Sequence, residues 1–211
     1  MSEVLSATNL KFLAQGMWTT LYLSFFIIVL STLFGTILAV MRNGKNPILR
    51  WIASIYIEFV RNVPNLLWIF IIFLVFQLKS TAAGITSFTV FTSAALAEII
   101  RGGLNSIDHG QTEAGLSQGF TYADTMRIII LPQAVRTILP PLTNQVVNLI
   151  KNTSTVAIIS GADIMFTAKA WAYDTTNYVP AFAGAAFLYF IMCFPLATWA
   201  RRKEEENKKA Y

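Results

Sequence analysis

Residues 111–132 read QTEAGLSQGFTYADTMRIIILP, a stretch different in kind from the rest of the 211-residue chain. With its flanks, from Glu98 to Lys151, it is rich in glycine, in helix-start signals and in charges of both signs. Asp108 followed by Gln111 has the spacing of a capping box, in which the acid accepts from first-turn N–H groups and Gln111 reaches back. Thr121 followed by Asp124 repeats the arrangement. Gly119 stands between them, where a left-handed residue stops a helix. The pattern predicts two short helices joined at Gly119. The first carries Glu113, Ala114, Gly115 and Leu116, and two small side chains beside an acid let another protein surface come close to the backbone. A helix this short is marginal alone in water, so a supporting partner is expected.

Outside this stretch the chain is apolar. Its 55% apolar and 13% charged content lies on the membrane side of the usual balance. Charges are missing from Phe12 to Met41, Asn62 to Leu78, Ser80 to Ala97 and Thr175 to Ala200, and a bilayer core needs about 20 apolar residues as helix. The expectation is an all-α, polytopic membrane protein with one domain over 1–211: a core at 15–203, a loop at about 101–136 and a solvated charged tail at 201–211. The first apolar run lacks a basic lead and a small-residue cleavage site, so it reads as a retained span.

Five spans are expected. The first is about Trp18 to Val40, with Trp18 and Tyr22 as interfacial anchors, and it ends in the turn Met41 to Pro47, which holds two breakers and two cations. Residues 48–61 read as an amphipathic approach to a second span at about Pro64 to Leu78, with Pro64 in the first helical turn. Lys79 to Gly84 reads as an outer turn. The third span is about Ile85 to Ile100, where Ala94 and Ala95 permit close packing. The fourth is about Thr137 to Ile159, interrupted by Pro140 and Pro141. Residues 160–177 are expected at the outer surface, and the fifth span is about Val179 to Trp199. Five spans put the two ends on opposite sides. With the C-terminus cytoplasmic, the inner side holds Arg42, Lys45, Arg50, Arg61, Arg101, Arg127, Arg136, Arg201, Arg202, Lys203, Lys208 and Lys209, twelve of sixteen cations. Cytoplasmic loops favour Lys and Arg, so the N-terminus is expected outside. The net charge of +5 then follows from topology and gives no reason to expect nucleic-acid binding.

The run Glu113-Ala114-Gly115, then Gly119, then Ile129-Ile130-Leu131-Pro132 resembles the EAA signature of bacterial ABC importer permeases. Glu98 to Leu104, Gly110-Gln111, Leu131 to Arg136, Asn148 with Lys151 to Ser154, and Glu58 to Arg61 with Pro64 are similar to its polar amino acid branch (the histidine, glutamine, glutamate and arginine permeases). Gly115 replaces the second alanine of the triplet, and Asn62-Val63 stands where the branch usually has Gly-Thr. The resemblance covers roughly residues 15–203. It implies a MetI-like fold and a multi-pass protein of the bacterial cytoplasmic membrane. It further implies partners: ABC ATPase subunits, a second permease subunit (identical or not) and an extracytoplasmic amino acid-binding protein. The first loop helix would be the coupling helix docking on the ATPase, with Gln111 in its first turn. Glu113 would be its polar contact, Ala114 and Gly115 its close-packing face and Gly119 its bend. Pro132 and Arg136 would set the start of span four. Transport would proceed by alternating access. The chain has no phosphate-cradling G-x-x-x-x-G-K-[ST] loop, so ATP and Mg2+ would belong to the partner, and no cofactor is expected here.

Asn144, Asn148 and Lys151 recur at intervals of 4 and 3, so they share a helix face, which Thr155 extends. A cation within a span is a functional candidate. The stripe either lines a substrate pathway, favouring acidic or amide amino acids such as glutamate, aspartate and glutamine, or makes interhelical hydrogen bonds with Lys151 snorkelling outward. Glu98 and Arg101 are either a surface pair of little worth or a brace for the loop. His109 lacks fellow ligands for a metal, Cys193 reads as a small apolar residue, and no Ser/His/Asp or Cys/His set is present for covalent catalysis. The competing function is an ion-gradient-driven secondary transporter. Against it, the chain shows no internal repeat of the kind such transporters carry.

Overall fold

The computed structural model describes residues 7–209, and every regular element among them is helical. Residues 1–6 and 210–211, the very ends to which the topology assigns outer and inner sides, lie outside the described residues.

Helix α1, Ala7–Asn43, is about 55 Å long, more than a bilayer core needs. It stops at a tight turn where the Asn46 side chain accepts from the Ile48 and Leu49 N–H groups and Pro47 opens α2, Pro47–Arg61. Pro suits that position because the first-turn N–H is unsatisfied in any case. Helix α2 buries Ala53 and packs Ile57 and Val60 against Ala39 of α1 and Ala94 and Ala97 of α4 (Ser80–Asn105), while Trp51, Ile52, Ile55 and Phe59 stay exposed. The amphipathic approach is therefore a helix. It meets α3, Asn65–Phe76, at a bend of 101°.

The outer turn is shorter than expected. Only Gln77 to Lys79 are outside helix, because α4 begins at Ser80. Ala83 and Gly84, polar-looking in context, are buried: Gly84 lies against Val156, and the Ser80 hydroxyl donates to the Ile159 carbonyl.

Beyond α4 come α5, His109–Ser117, and α6, Tyr122–Asp124. The latter is no separate short helix. It runs through a π-helical stretch, Thr125–Ile130, straight into α7, Leu131–Asn152. Helix α7 passes through Pro140 and Pro141 unbroken and starts well before the expected Thr137. A 3-10 stretch, Thr153–Ile159, follows it. Helix α8, Ile164–Thr175, packs one face into the fold: Ile164, Ala168, Trp171 and Ala172 recur at helical spacing and are buried with Leu13 of α1 and Ala181 and Ala185 of α9, and Thr167 beside them is buried too. Helix α9, Tyr178–Lys209, carries on through most of the expected solvated tail. Ion pairs Lys203–Glu206 (2.7 Å) and Glu204–Lys208 (2.8 Å), one turn apart, support the extension.

Contacts fix the relative directions. Ser31 donates to the Thr89 carbonyl and Arg42 reaches Glu98, so α1 and α4 run parallel. Gly84 meets Val156 and Gly103 meets Ile138, so α7 runs against α4. Asn207 bonds to Arg136 while Cys193 packs with Ile150, so α9 runs against α7. Among the described residues, three helices are long and apolar enough to cross a membrane, Thr8–Asn43, Ser80–Asn105 and Tyr178–Lys208, or four if the bent α2–α3 pair is one span. The remaining expected crossing, the fourth, is α7, whose Gln133, Arg136, Asn144, Gln145, Asn148 and Lys151 keep it below that standard.

Candidate functional site

Helix α5 is short but firmly held. The Asp108 carboxylate accepts from the Gly110 N–H at 2.6 Å, forming half of the expected capping box. The other half is absent, since the Gln111 side chain instead meets Gln133 of α7 at 3.5 Å. At the far end the Phe120 N–H bonds to the Gly115 carbonyl and the Gly119 N–H to that of Leu116. This is a Schellman ending, with Gly119 at φ +89° and open space around it. Only conformation, not room, demands glycine there. Thr121 caps the next turn, accepting from the Asp124 N–H at 3.2 Å.

Glu113 and Ala114 are exposed, but Gly115 is buried. A Cβ on Gly115 would sit 2.7 Å from Thr125 Cγ2 and 3.1 Å from Ile129 Cδ1, so its close approach is to the chain's own π-helical stretch. The expected close-packing face thus splits: Ala114 points outward and Gly115 seats α5 on the start of α7. Around them Leu116, Phe120, Tyr122 and Ile128 are exposed apolar residues that the motif did not single out. The π-helical stretch has a local cause. The Leu131 N–H bonds five residues back, to Met126, and the next donor in that pattern would be Pro132, which has none. Pro132 therefore sets where regular α7 resumes.

Glu98 is the anion of a cluster that the sequence suggested only in part. It accepts from Arg101 Nε at 3.1 Å and Nη2 at 3.0 Å, and from Arg42; Arg61 stands 3.7 Å away. Arg42 also donates to Glu58 at 3.0 Å. Of the two readings of Glu98 and Arg101, the structure supports the brace: the cluster ties α1, α2 and α4 together near the end of α4 from which the loop departs. Its long-range members, Arg42 and Arg61, had no sequence signal beyond being cations at helix ends.

Asn144, Asn148 and Lys151 lie together on an exposed face of α7. No ion pair involves Lys151 among the described residues. Thr155 leaves this line. It sits in the 3-10 stretch, half-buried, with its hydroxyl donating to the Asn152 carbonyl at 2.8 Å. Three residues of 3-10 winding turn it roughly 60° further round the axis than α-helix would. His109 is exposed at the start of α5, and no group of potential metal ligands occurs among the described residues. Cys193 is buried beside Val147 and Ile150.

Comparison with known proteins adds relationship to this geometry. Residues 31–204 match the family described as binding-protein-dependent transport system inner membrane component. The chain is 40% identical to a probable glutamine ABC transporter permease protein, GlnP, of Bacillus subtilis strain 168, over 94% of this chain and 95% of that one. It is 35% identical to an L-cystine transport system permease, TcyB, of the same organism, covering 87% and 84%. Among solved structures, an amino acid ABC transporter crystallised with histidines superposes with a TM-score of 0.87 at 30% identity, covering 94% of this chain and 95% of that one. The MetNI methionine ABC transporter in inward-facing form shares the fold, with a TM-score of 0.77 at 20% identity over 96% and 99% of the two chains.

Proposed function

The chain belongs to the inner membrane components of binding-protein-dependent transport systems, as an amino acid ABC importer permease, and from that premise we propose that it carries acidic or amide amino acids inward by alternating access, driven through α5. Glutamine, glutamate and aspartate are the favoured substrates. The glutamine-type relatives favour them, as does Lys151 on the exposed stripe of α7, where an ammonium can meet a carboxylate or an amide oxygen. The chain crosses the cytoplasmic membrane five times with its N-terminus outside. The parallel run of α1, α4 and α9, with α7 opposed to them, and the clustering of cations at the Arg42, Arg101 and Arg201 ends support that topology. The permease works as a pair with a second permease subunit, identical or related, and takes substrate from an extracytoplasmic binding protein. ATP and Mg2+ are bound and turned over by separate ATPase subunits.

One observation carries the coupling reading: α5 is at once exposed and anchored. Glu113, Ala114 and Leu116 face away from the chain while Gly115 and Gln111 fasten the same helix to Thr125, Ile129 and Gln133 of the continuous run into α7. A push on α5 is therefore delivered to the helix that bears the stripe.

The test is reconstitution in proteoliposomes with the ATPase subunit encoded alongside, measuring ATP hydrolysis and uptake of labelled glutamine, glutamate and aspartate. Wild-type uptake is expected to require ATP. Glu113→Ala, which removes an exposed contact, and Gly119→Val, which forces a β-branched residue to positive φ, are both expected to lower uptake by about tenfold or more while membrane insertion persists, as lost docking of roughly 1.4 kcal/mol or more would give. Uptake driven by an ion gradient without ATPase would install the secondary-transporter reading instead. Normal transport by both variants would remove α5 from the mechanism.

A further inference from the structure

Helix α7 contains a gap that another part of the chain closes. Pro140 has no N–H, so the carbonyl of Arg136 lacks its donor four residues on; Pro141 does the same to Thr137. Helices usually meet such losses with a kink, water or a side chain inserted into the ladder. Here the Asn207 side-chain amide donates to the Arg136 carbonyl at 2.7 Å, across 71 residues of sequence. Asn207 is itself held by the helical extension of α9, in which the Glu204–Lys208 pair spans it and the Lys203–Glu206 pair lies just before it.

The position of this bond matters. Toward one end of α7 lie Tyr122 to Pro132, on which α5 is seated. Toward the other lie Asn144, Asn148 and Lys151. The proline pair stands between them, and beside it an open cleft of about 490 Å3 lies between α7 and the α9 extension, lined by Thr137, Pro140, Pro141, Asn144, Glu204 and Asn207 among others. A helix with two missing ladder bonds and open space on that side can bend there. A single side-chain hydrogen bond supplied from α9 reaches α7 at that point.

We infer that Asn207 is a positioning residue for transport: its amide replaces the missing fourth-residue donor of Arg136 and sets the angle of α7 between the seat of α5 and the polar stripe. This rests on the importer reading given above. It assigns to the end of α9 a role in converting ATPase motion into substrate movement, which neither the loop motif nor the stripe implies.

Two measurements on the permease–ATPase complex decide it. Asn207→Leu keeps the size and removes the donor. It is expected to lower the amino acid moved per ATP hydrolysed by about threefold to tenfold, the range set by one hydrogen bond's net worth, with the ATPase rate of the complex unchanged. Asn207→Gln, which retains an amide donor, is expected to recover part of that ratio. The second measurement is a thermal-unfolding cycle with Pro140→Ala, which gives Arg136 an in-helix donor. Asn207→Leu should lower the melting temperature in the wild-type background and have little effect in the Pro140→Ala background. An unchanged transport-to-ATP ratio in Asn207→Leu overturns the proposal, as does an equal melting loss in both backgrounds. If wild type shows no ATP-dependent uptake, the importer reading falls, and the unfolding cycle still decides whether Asn207 serves the proline gap.

Discussion

At the scale of single residues, Glu98 shows how a local pair becomes a tertiary device. With Arg101 alone it would be a helix-surface pair of a few tenths of a kcal/mol. Joined by Arg42 and approached by Arg61, it becomes the carboxylate that three guanidinium groups share, its side chain 19% exposed. Glu98→Gln leaves these arginines without their shared anion and is expected to cost about 2 kcal/mol, the worth of charged hydrogen bonds, seen as a lower melting temperature of the detergent-solubilised protein. Glu58→Gln should cost well under half as much, since Glu58 is 59% exposed and pairs with Arg42 alone. Equal losses in the two variants would mean that the cluster is not centred on Glu98. Gly115 makes a related point. In the motif it stands for an alanine less one methyl, but in the folded chain that methyl would press on Thr125.

At the scale of elements, the capped starts of the loop helices were legible, while starts and continuations set by packing were not. Asn46, Asp108 and Thr121 cap their helices through bonds to N–H groups two or three residues ahead, and the Schellman ending at Gly119 is equally local, so each has a signature in a short window. Whether a helix goes on depends on what it packs against. The second loop helix continues into α7, and α8 is buried between α1 and α9, because of neighbours far away in sequence. Asp163 at the head of α8 joins both kinds of determinant. Its carboxylate accepts from the Phe166 N–H at 2.9 Å, a local cap, and from the Tyr189 hydroxyl at 3.1 Å, a tertiary contact. Asp163→Ala is expected to destabilise by about 1–3 kcal/mol through the lost cap and the stranded hydroxyl. Asp163→Asn keeps an oxygen for Phe166 and should lose less than half of that. Unfolding of the two variants in detergent checks the order, and an equal loss in the Asn variant would mean that the charge, not the bond, is what α8 needs.

At the scale of the whole molecule, the parallel run of α1 and α4 and the opposed runs of α7 and α9 leave Lys45 and Lys79 at opposite ends of the α2–α3 pair. In a Cys193→Ser background, Lys79→Cys is expected to react with a membrane-impermeant thiol reagent in intact cells. Lys45→Cys should react only after permeabilisation, and the reverse pattern would invert the topology. The apolar runs, the charge asymmetry, the helix caps and the glycine-bent loop motif were determined by sequence alone, because each depends on the bilayer or on groups within a few residues. The tertiary structure alone decided the arginine partners of Glu98, the inward seating of Gly115, the burial of α8 and the docking of the α9 extension on α7. Those rest on side chains and carbonyls brought together from distant positions, as when Asn207 fills a bond that Pro140 cannot make, and the periodicity of either segment holds no record of the other.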